Sequence, residues 1–257
     1  MNFLYSCSGL LVGVLVGLTG VGGGSLMTPL LVLLFGFHPA TAVGTDLLFA
    51  AATKSVGTGV HGFTGTVDWR ITGLLALGSV PATLITVGII ARVGAASPSM
   101  AAVMTSILAI ALLATALAIA TRNRIQAFAL AHLDALTRSQ AESLTVVTGA
   151  LLGTLVALSS VGAGALGLTA LVFLHPRQKI ARLVGSDIAH AVPLTLIAGI
   201  GHWFLGSTDW GLLGMLLLGS LPGIVIGSLL SSRVPESALR PILAATLLLV
   251  GTSLLAR

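Results

Sequence analysis

Two aspartates, a lysine and two histidines sit in stretches of sequence that are otherwise apolar: Asp46, Asp187, Lys54, His61 and His202. Ionisable side chains in such surroundings are expensive and usually functional when lipid is the solvent. Asp46 closes Gly44-Thr45-Asp46, and Asp187 closes Gly185-Ser186-Asp187. A carboxylate held there can carry a coupling proton, and it can equally cap the start of its helix. Lys54 follows Asp46 by eight residues, close to two helical turns, so both share roughly one face. A buried ammonium needs a carboxylate or an anion beside it, and Lys54 lies too deep in its apolar run to snorkel comfortably. His61 and His202 each end an apolar run. Histidine exchanges a proton near neutral pH, so both are coupling candidates as well as candidates for plain interfacial residues.

Backbone donors complete the set. Gly20-Val21-Gly22-Gly23-Gly24-Ser25 interrupts one apolar run, and Gly162-Ala163-Gly164 interrupts another. A half-helix starting near Ser25 would aim its free N–H groups inward, and those groups with the helix dipole favour an anion. Gly22, Gly23, Gly24, Gly162 and Gly164 would let the backbone approach a ligand. Thr19, Ser25, Thr45, Ser159, Ser160 and Ser186 would add hydroxyls. Close helix packing of the GxxxG kind is the competing use of small residues, and Gly13 and Gly17 suit it. Residues 162–167 also spell G-x-G-x-x-G, but a dinucleotide site needs a soluble βαβ unit around it. No Walker A motif is present. The single cysteine, Cys7, excludes an intrachain disulfide and a cysteine metal cluster. No nucleophile motif surrounds the serines, no metal site is supported, and no cofactor is implied.

The elements that position these groups come twice. Val21, Gly22, Gly24 and Leu26 recur as Val161, Gly162, Gly164 and Leu166, an offset of 140 residues; after one insertion Gly44, Asp46 and His61 recur as Gly185, Asp187 and His202. Asp68-Trp69 recurs as Asp209-Trp210, and Pro81 as Pro222, while Thr195 stands where Lys54 would. A duplicated half in a very apolar chain is the usual build of a secondary transporter.

Only 7% of residues are charged and 56% are hydrophobic, against about 25% charged in a soluble domain; the mean hydropathy is +1.09. Apolar segments fall at 8–36, 41–61, 70–91, 98–120, 144–174, 184–206, 210–231 and 238–256. Lipid demands that backbone groups be paired internally, so all are read as helices. The N-terminus lacks a basic leading region and runs into the first repeat, which argues against a cleaved leader. The segments 8–36 and 144–174 exceed an ordinary span. Treated as hairpins that dip in and return, they leave nine basic residues on one side and Arg92 and Arg257 on the other. That asymmetry places the 121–143 linker in the cytoplasm and makes the halves inverted repeats. The expected organisation is a first repeat at 1–120, a cytoplasmic linker at 121–143 lying on the membrane surface as an amphipathic helix, and a second repeat at 144–257. The scattered basic residues form no nucleic-acid stripe. Small-residue faces permit a homodimer.

The run Gly17-Leu18-Thr19-Gly20-Val21-Gly22-Gly23-Gly24-Ser25, with Thr28-Pro29-Leu30-Leu31, resembles the signature of the TauE/SafE sulfite-exporter-like permeases. Ala42-Val43-Gly44-Thr45-Asp46-Leu47-Leu48 is similar to that family's second motif, and the likeness covers essentially the whole chain. The second half is more degenerate, with no proline equivalent to Pro29. The resemblance implies an all-α polytopic permease of the bacterial cytoplasmic membrane for sulfite, organosulfonates or related oxyanions. An anion channel, a divalent-metal permease using the paired Asp and His residues, and a membrane-embedded enzyme or assembly subunit are the alternatives.

Overall fold

A computed structural model describes residues 2–19, 24–63, 65–132, 137–230 and 236–256. Its elements are all helical: α1 (Asn2–Thr19), α2 (Gly24–Leu33), α3 (Pro39–Phe63), α4 (Trp69–Val93), α5 (Pro98–His132), α6 (Arg138–Ser159), α7 (Ala165–Leu174), α8 (Ile180–Phe204), α9 (Trp210–Leu230) and α10 (Glu236–Leu255). Proline opens α3 and α5, where a missing N–H is harmless. The Asp68 side chain caps α4, and Thr137 with Gln140 forms a capping box on α6. Among the described residues α4, α5, α6, α8 and α9 are long and apolar enough to cross a membrane.

The two interrupted segments separate into helix pairs, α1/α2 and α6/α7, as the glycine breaks predict. Residues 121–132, assigned to the linker in the sequence, do not begin a helix of their own. They continue α5, whose 35 residues extend about 52 Å. Thr121–Ala131 contains strong helix formers and neither Gly nor Pro, so nothing stops the helix where the composition turns polar. The linker's last residues open α6.

Packing follows the repeat, with the halves interleaved. α1 packs chiefly on α9, and the matched α6 packs on α4; α3 meets α8 at the centre, and α5 meets α10. Gly9, Gly13 and Gly17 bring α1 onto the backbone of α9 at Leu216, Ser220 and Ile224, so the GxxxG reading of Gly13 and Gly17 holds. Gly78 of α4 sits on the Val146 carbonyl of α6 in the same way.

Each interrupted segment also folds back on itself. Tyr5, near the start of α1, packs edge-on against Phe35, which follows α2, with ring centroids 4.9 Å apart. Thr145, in the second turn of α6, lies 2.9 Å from Nε2 of His175, which follows α7. The residues entering and leaving each segment therefore lie side by side.

Candidate functional site

The central pair α3 and α8 carries the buried charges. Asp46 is 0% exposed, and Thr28 of α2 donates its hydroxyl to Asp46 Oδ2 at 2.5 Å. Asp46 Oδ1 has no hydrogen-bond partner among the described residues. Lys54, two turns on, crosses to the other half: its Nζ donates to the Ala163 carbonyl at 2.5 Å, inside the second glycine break. Both Asp46 and Asp187 attract the ammonium. Asp187 is buried, and its Oδ1 has no partner among the described residues. The missing side chain of Gly167 in α7 makes room for that oxygen.

Ser160 joins the cluster because it takes a left-handed conformation, φ 59°, at the end of α6. Its buried hydroxyl stands beside Asp46 without a full hydrogen bond among the described residues. Gly162 and Gly164 hold φ values of 128° and 139°, which favour glycine. His190, one turn past Asp187, pairs its Nε2 with Ser79 of α4 at 2.8 Å. One ammonium thus faces two carboxylates, with hydroxyls and a break carbonyl around them.

Other polar residues singled out in the sequence do different work. Thr45 accepts a hydrogen bond from the Asp209 N–H at 3.0 Å, and Ser186 accepts one from the Asp68 N–H at 2.8 Å. Asp68 and Asp209 in turn cap α4 and α9, accepting from Ile71 N–H and Leu212 N–H. Each Gly-Thr/Ser pair therefore locks onto the Asp-Trp corner of the opposite half, and neither hydroxyl reaches Lys54. Ser159 bonds locally to the Leu155 carbonyl, and His202 is fully buried with Nε2 on the Ala157 carbonyl at 2.9 Å. Ser25 is buried in the first turn of α2. Thr19 and Gly24 are described as helix ends; Gly22, Gly23 and the His61 side chain lie outside the described residues.

Sequence reasoning missed Thr28, the Ala163 carbonyl and the Ser79–His190 pair as members of the cluster. Thr28 stood in the Thr28-Pro29 motif, and His190 stood three residues past Asp187; these were the available signals. A cavity of ≈ 250 Å³ reaches the cluster, running from Asp187 and Gly164 to Arg122 of α5 and Arg240 of α10.

At the end where α4 and α6 begin, Glu142 pairs with Arg70 at 2.6 Å and with Arg138 at 3.0 Å. His175 completes this layer, its ring bonded to a Thr145 hydroxyl that itself donates to the Ala141 carbonyl. The proton between them therefore belongs to His175 Nε2. Burial holds His175 below its usual 6.5, against the pull of Asp68 and Glu142. The sign follows: the unfolded chain binds a proton more readily, so this contribution is present above pH 6.5 and is lost as pH falls below it. Thermal unfolding in detergent between pH 8 and 5 should show a shallower acid-side loss of stability for His175→Gln than for the native chain; an unchanged slope refutes this.

Among the described residues, apolar helices long enough to cross a membrane carry buried charge beside their glycine breaks, the build expected of a membrane transporter. Residues 5–254 match the family model described as sulfite exporter TauE/SafE, and the chain belongs to that family. It is 38% identical to the "Probable membrane transporter protein YjnA" of Bacillus subtilis over 256 residues, covering 96% of this chain and 97% of that one. It is 27% identical to YdhB of the same organism, also named a "Probable membrane transporter protein", covering 95% and 96% of the two chains. A relative of that description from Xylella fastidiosa is 27% identical, covering 90% of this chain and 85% of its own. No solved structure matches the chain significantly.

Proposed function

We propose that this transporter moves a small sulfur-containing oxyanion, sulfite or an organosulfonate, by proton-coupled alternating access. The observation that carries the anionic reading is Lys54, buried where α3 of one half meets the glycine break of the other. The ammonium occupies the place a cation would take beside the two carboxylates, which weighs against a divalent-metal permease. Among the described residues no three His, Cys, Asp or Glu side chains gather as metal ligands. The sulfur chemistry is suggested by the family's description alone.

Electrostatics supplies the coupling. One ammonium against two carboxylates, Asp46 and Asp187, leaves the site negative when all three are ionised. An oxyanion entering that site would be repelled until a proton neutralises one carboxylate, so anion and proton travel together. Lys54 then exchanges the Ala163 carbonyl for the substrate, and the protonated carboxyl donates a hydrogen bond to it. Backbone donors of the two breaks, at Gly22–Ser25 and Gly162–Gly164, complete the cradle.

The two halves are read as inverted repeats, each with one re-entrant helix pair and three crossings. The foldback contacts Tyr5–Phe35 and Thr145–His175 support this. So does the gathering of Arg70, Arg138 and Glu142 at one end, which the positive-inside rule assigns to the cytoplasm of a bacterial inner membrane. A homodimer is compatible with the lipid-facing surfaces.

The test is flux in proteoliposomes loaded with sulfite, a panel of sulfonates, chloride, phosphate or divalent metals. Sulfur oxyanion flux accelerated by acid on the substrate side is the expected result. Flux that ignores the proton gradient would make the protein a channel, and metal flux would overturn the anionic reading.

A further inference from the structure

The centre departs from the repeat at a second place besides Lys54. Phe49 stands in the first half where His190 would, at the offset of the aspartates. Phe49 is buried in an apolar cluster with Leu212, Leu213 and Leu216 of α9. His190 is 0% exposed and reaches from α8 to α4, where its Nε2 lies 2.8 Å from the Ser79 hydroxyl. The serine itself recurs as Ser220 of α9, whose buried hydroxyl has no partner among the described residues. Small-residue packing accounts for both serines, but only Ser79 meets an imidazole. The first half therefore gives the centre an ammonium, and the second half gives it an imidazole.

The proton of the Ser79–His190 bond can be placed. A neutral imidazole has one donor and one acceptor nitrogen. Buried hydroxyls elsewhere, those of Thr53, Thr115 and Thr195, donate to carbonyls of their own helices. Ser79 makes no such bond among the described residues, so the imidazole is the acceptor for its hydrogen. The hydroxyl donates to Nε2, and the imidazole proton sits on Nδ1. Nδ1 is buried and has no partner among the described residues. A buried donor left unpaired is costly, and native structures rarely leave one without a reason. Asp187, one turn back on the same helix, also carries an unpartnered oxygen, and the Lys54 ammonium acts on both side chains.

We propose that His190 is a substrate-binding residue: its Nδ1–H, held in that tautomer by Ser79, donates to an oxygen of the bound oxyanion beside Lys54. A neutral donor adds no charge that must be balanced while the site is empty, whereas the buried ammonium needs its carboxylates. Ser79 is a positioning residue that acts through the imidazole. The inference rests on the oxyanion reading of the central site and adds one contact to it.

The test separates the two imidazole nitrogens. Asparagine places an amide N–H near the position of Nδ1, and glutamine places one near Nε2. Flux of sulfite and of methanesulfonate is measured in proteoliposomes for the native full chain, His190→Asn, His190→Gln and Ser79→Ala, with the unfolding midpoint of each in detergent. His190→Gln keeps the reach to Ser79 but loses the free donor. Its half-saturating concentration should rise about 10- to 100-fold, with a smaller change in maximal rate. His190→Asn should stay within about threefold of the native value. A merely structural pair with Ser79 predicts the reverse order, which overturns the inference, as does an equal loss in both variants. If neither histidine variant is recovered folded, Ser79→Ala decides: its half-saturating concentration should rise about three- to tenfold, and a native value overturns the inference. If the native chain moves neither sulfite nor methanesulfonate, the oxyanion reading itself falls. If it moves them and His190→Gln does so with native half-saturation, only the assignment of His190 falls.

Discussion

Lys54→Ala should abolish oxyanion flux, with a loss of about 100-fold or more in initial rate in proteoliposomes. The ammonium is buried, bonded to the Ala163 carbonyl and attracted by two carboxylates. Removing one partner from a buried charge cluster costs about 3–5 kcal/mol, because the other charges are stranded, and each 1.4 kcal/mol is about tenfold. Part of that loss will appear as instability, so a second variant is needed to separate the effects. Lys54→Ala combined with Asp187→Asn removes one of the two stranded carboxylates and should restore part of the thermal stability in detergent. It should leave flux absent, since no cation remains to hold an anion. Native flux in either variant would remove Lys54 from the transport mechanism.

The second large effect lies at Gly44 and Gly185. A methyl at Gly185 would overlap the Thr66 carbonyl oxygen, and one at Gly44 would overlap the Ser207 carbonyl oxygen and press on His202 Cβ. These neighbours are largely backbone of the opposite half and cannot step aside. Gly44→Ala and Gly185→Ala should each destabilise by about 1–3 kcal/mol or more, visible as a lowered midpoint in detergent and a reduced folded yield. Gly73→Ala and Gly214→Ala are the controls. These glycines also match between the halves, but a Cβ there meets nothing within 4 Å. In mid-helix the change should be neutral or stabilising by up to about 1 kcal/mol. Equal behaviour of all four variants would refute the locked-corner account.

Much of this was legible from the residues themselves. The repeat exposed Asp46 and Asp187 as a pair, the glycine breaks marked where the helices would part, and helical spacing put Lys54 on the face of Asp46. Recurrence could not say what a recurring polar residue does. Thr45 and Ser186 repeat as faithfully as the aspartates beside them, yet their hydroxyls serve the Asp209 and Asp68 corners. A pattern in one dimension does not distinguish a ligand contact from a lock between halves, because both need a hydroxyl at a fixed place. His202 was open to a coupling role for the same reason, and its partner, the Ala157 carbonyl, lies 45 residues away. Arg122 read as a charge of the 121–143 linker because polar composition was taken to end the preceding span. The absence of a breaker after Ala120 carried the better information, since α5 runs on to His132.

The interleaving of the halves has a consequence for how the chain is made. The glycine face of α1 waits for α9, which begins 191 residues after α1 ends (Trp210 less Thr19). At the usual ~5–20 residues per second of synthesis, α1 spends about 10–40 s in the bilayer before its partner emerges. During that interval lipid, a chaperone or a second nascent chain must cover its small-residue face. The first half is therefore not an autonomous folding unit, and a ribosome that stalls before residue 210 leaves an unmatched helix as a target for quality control.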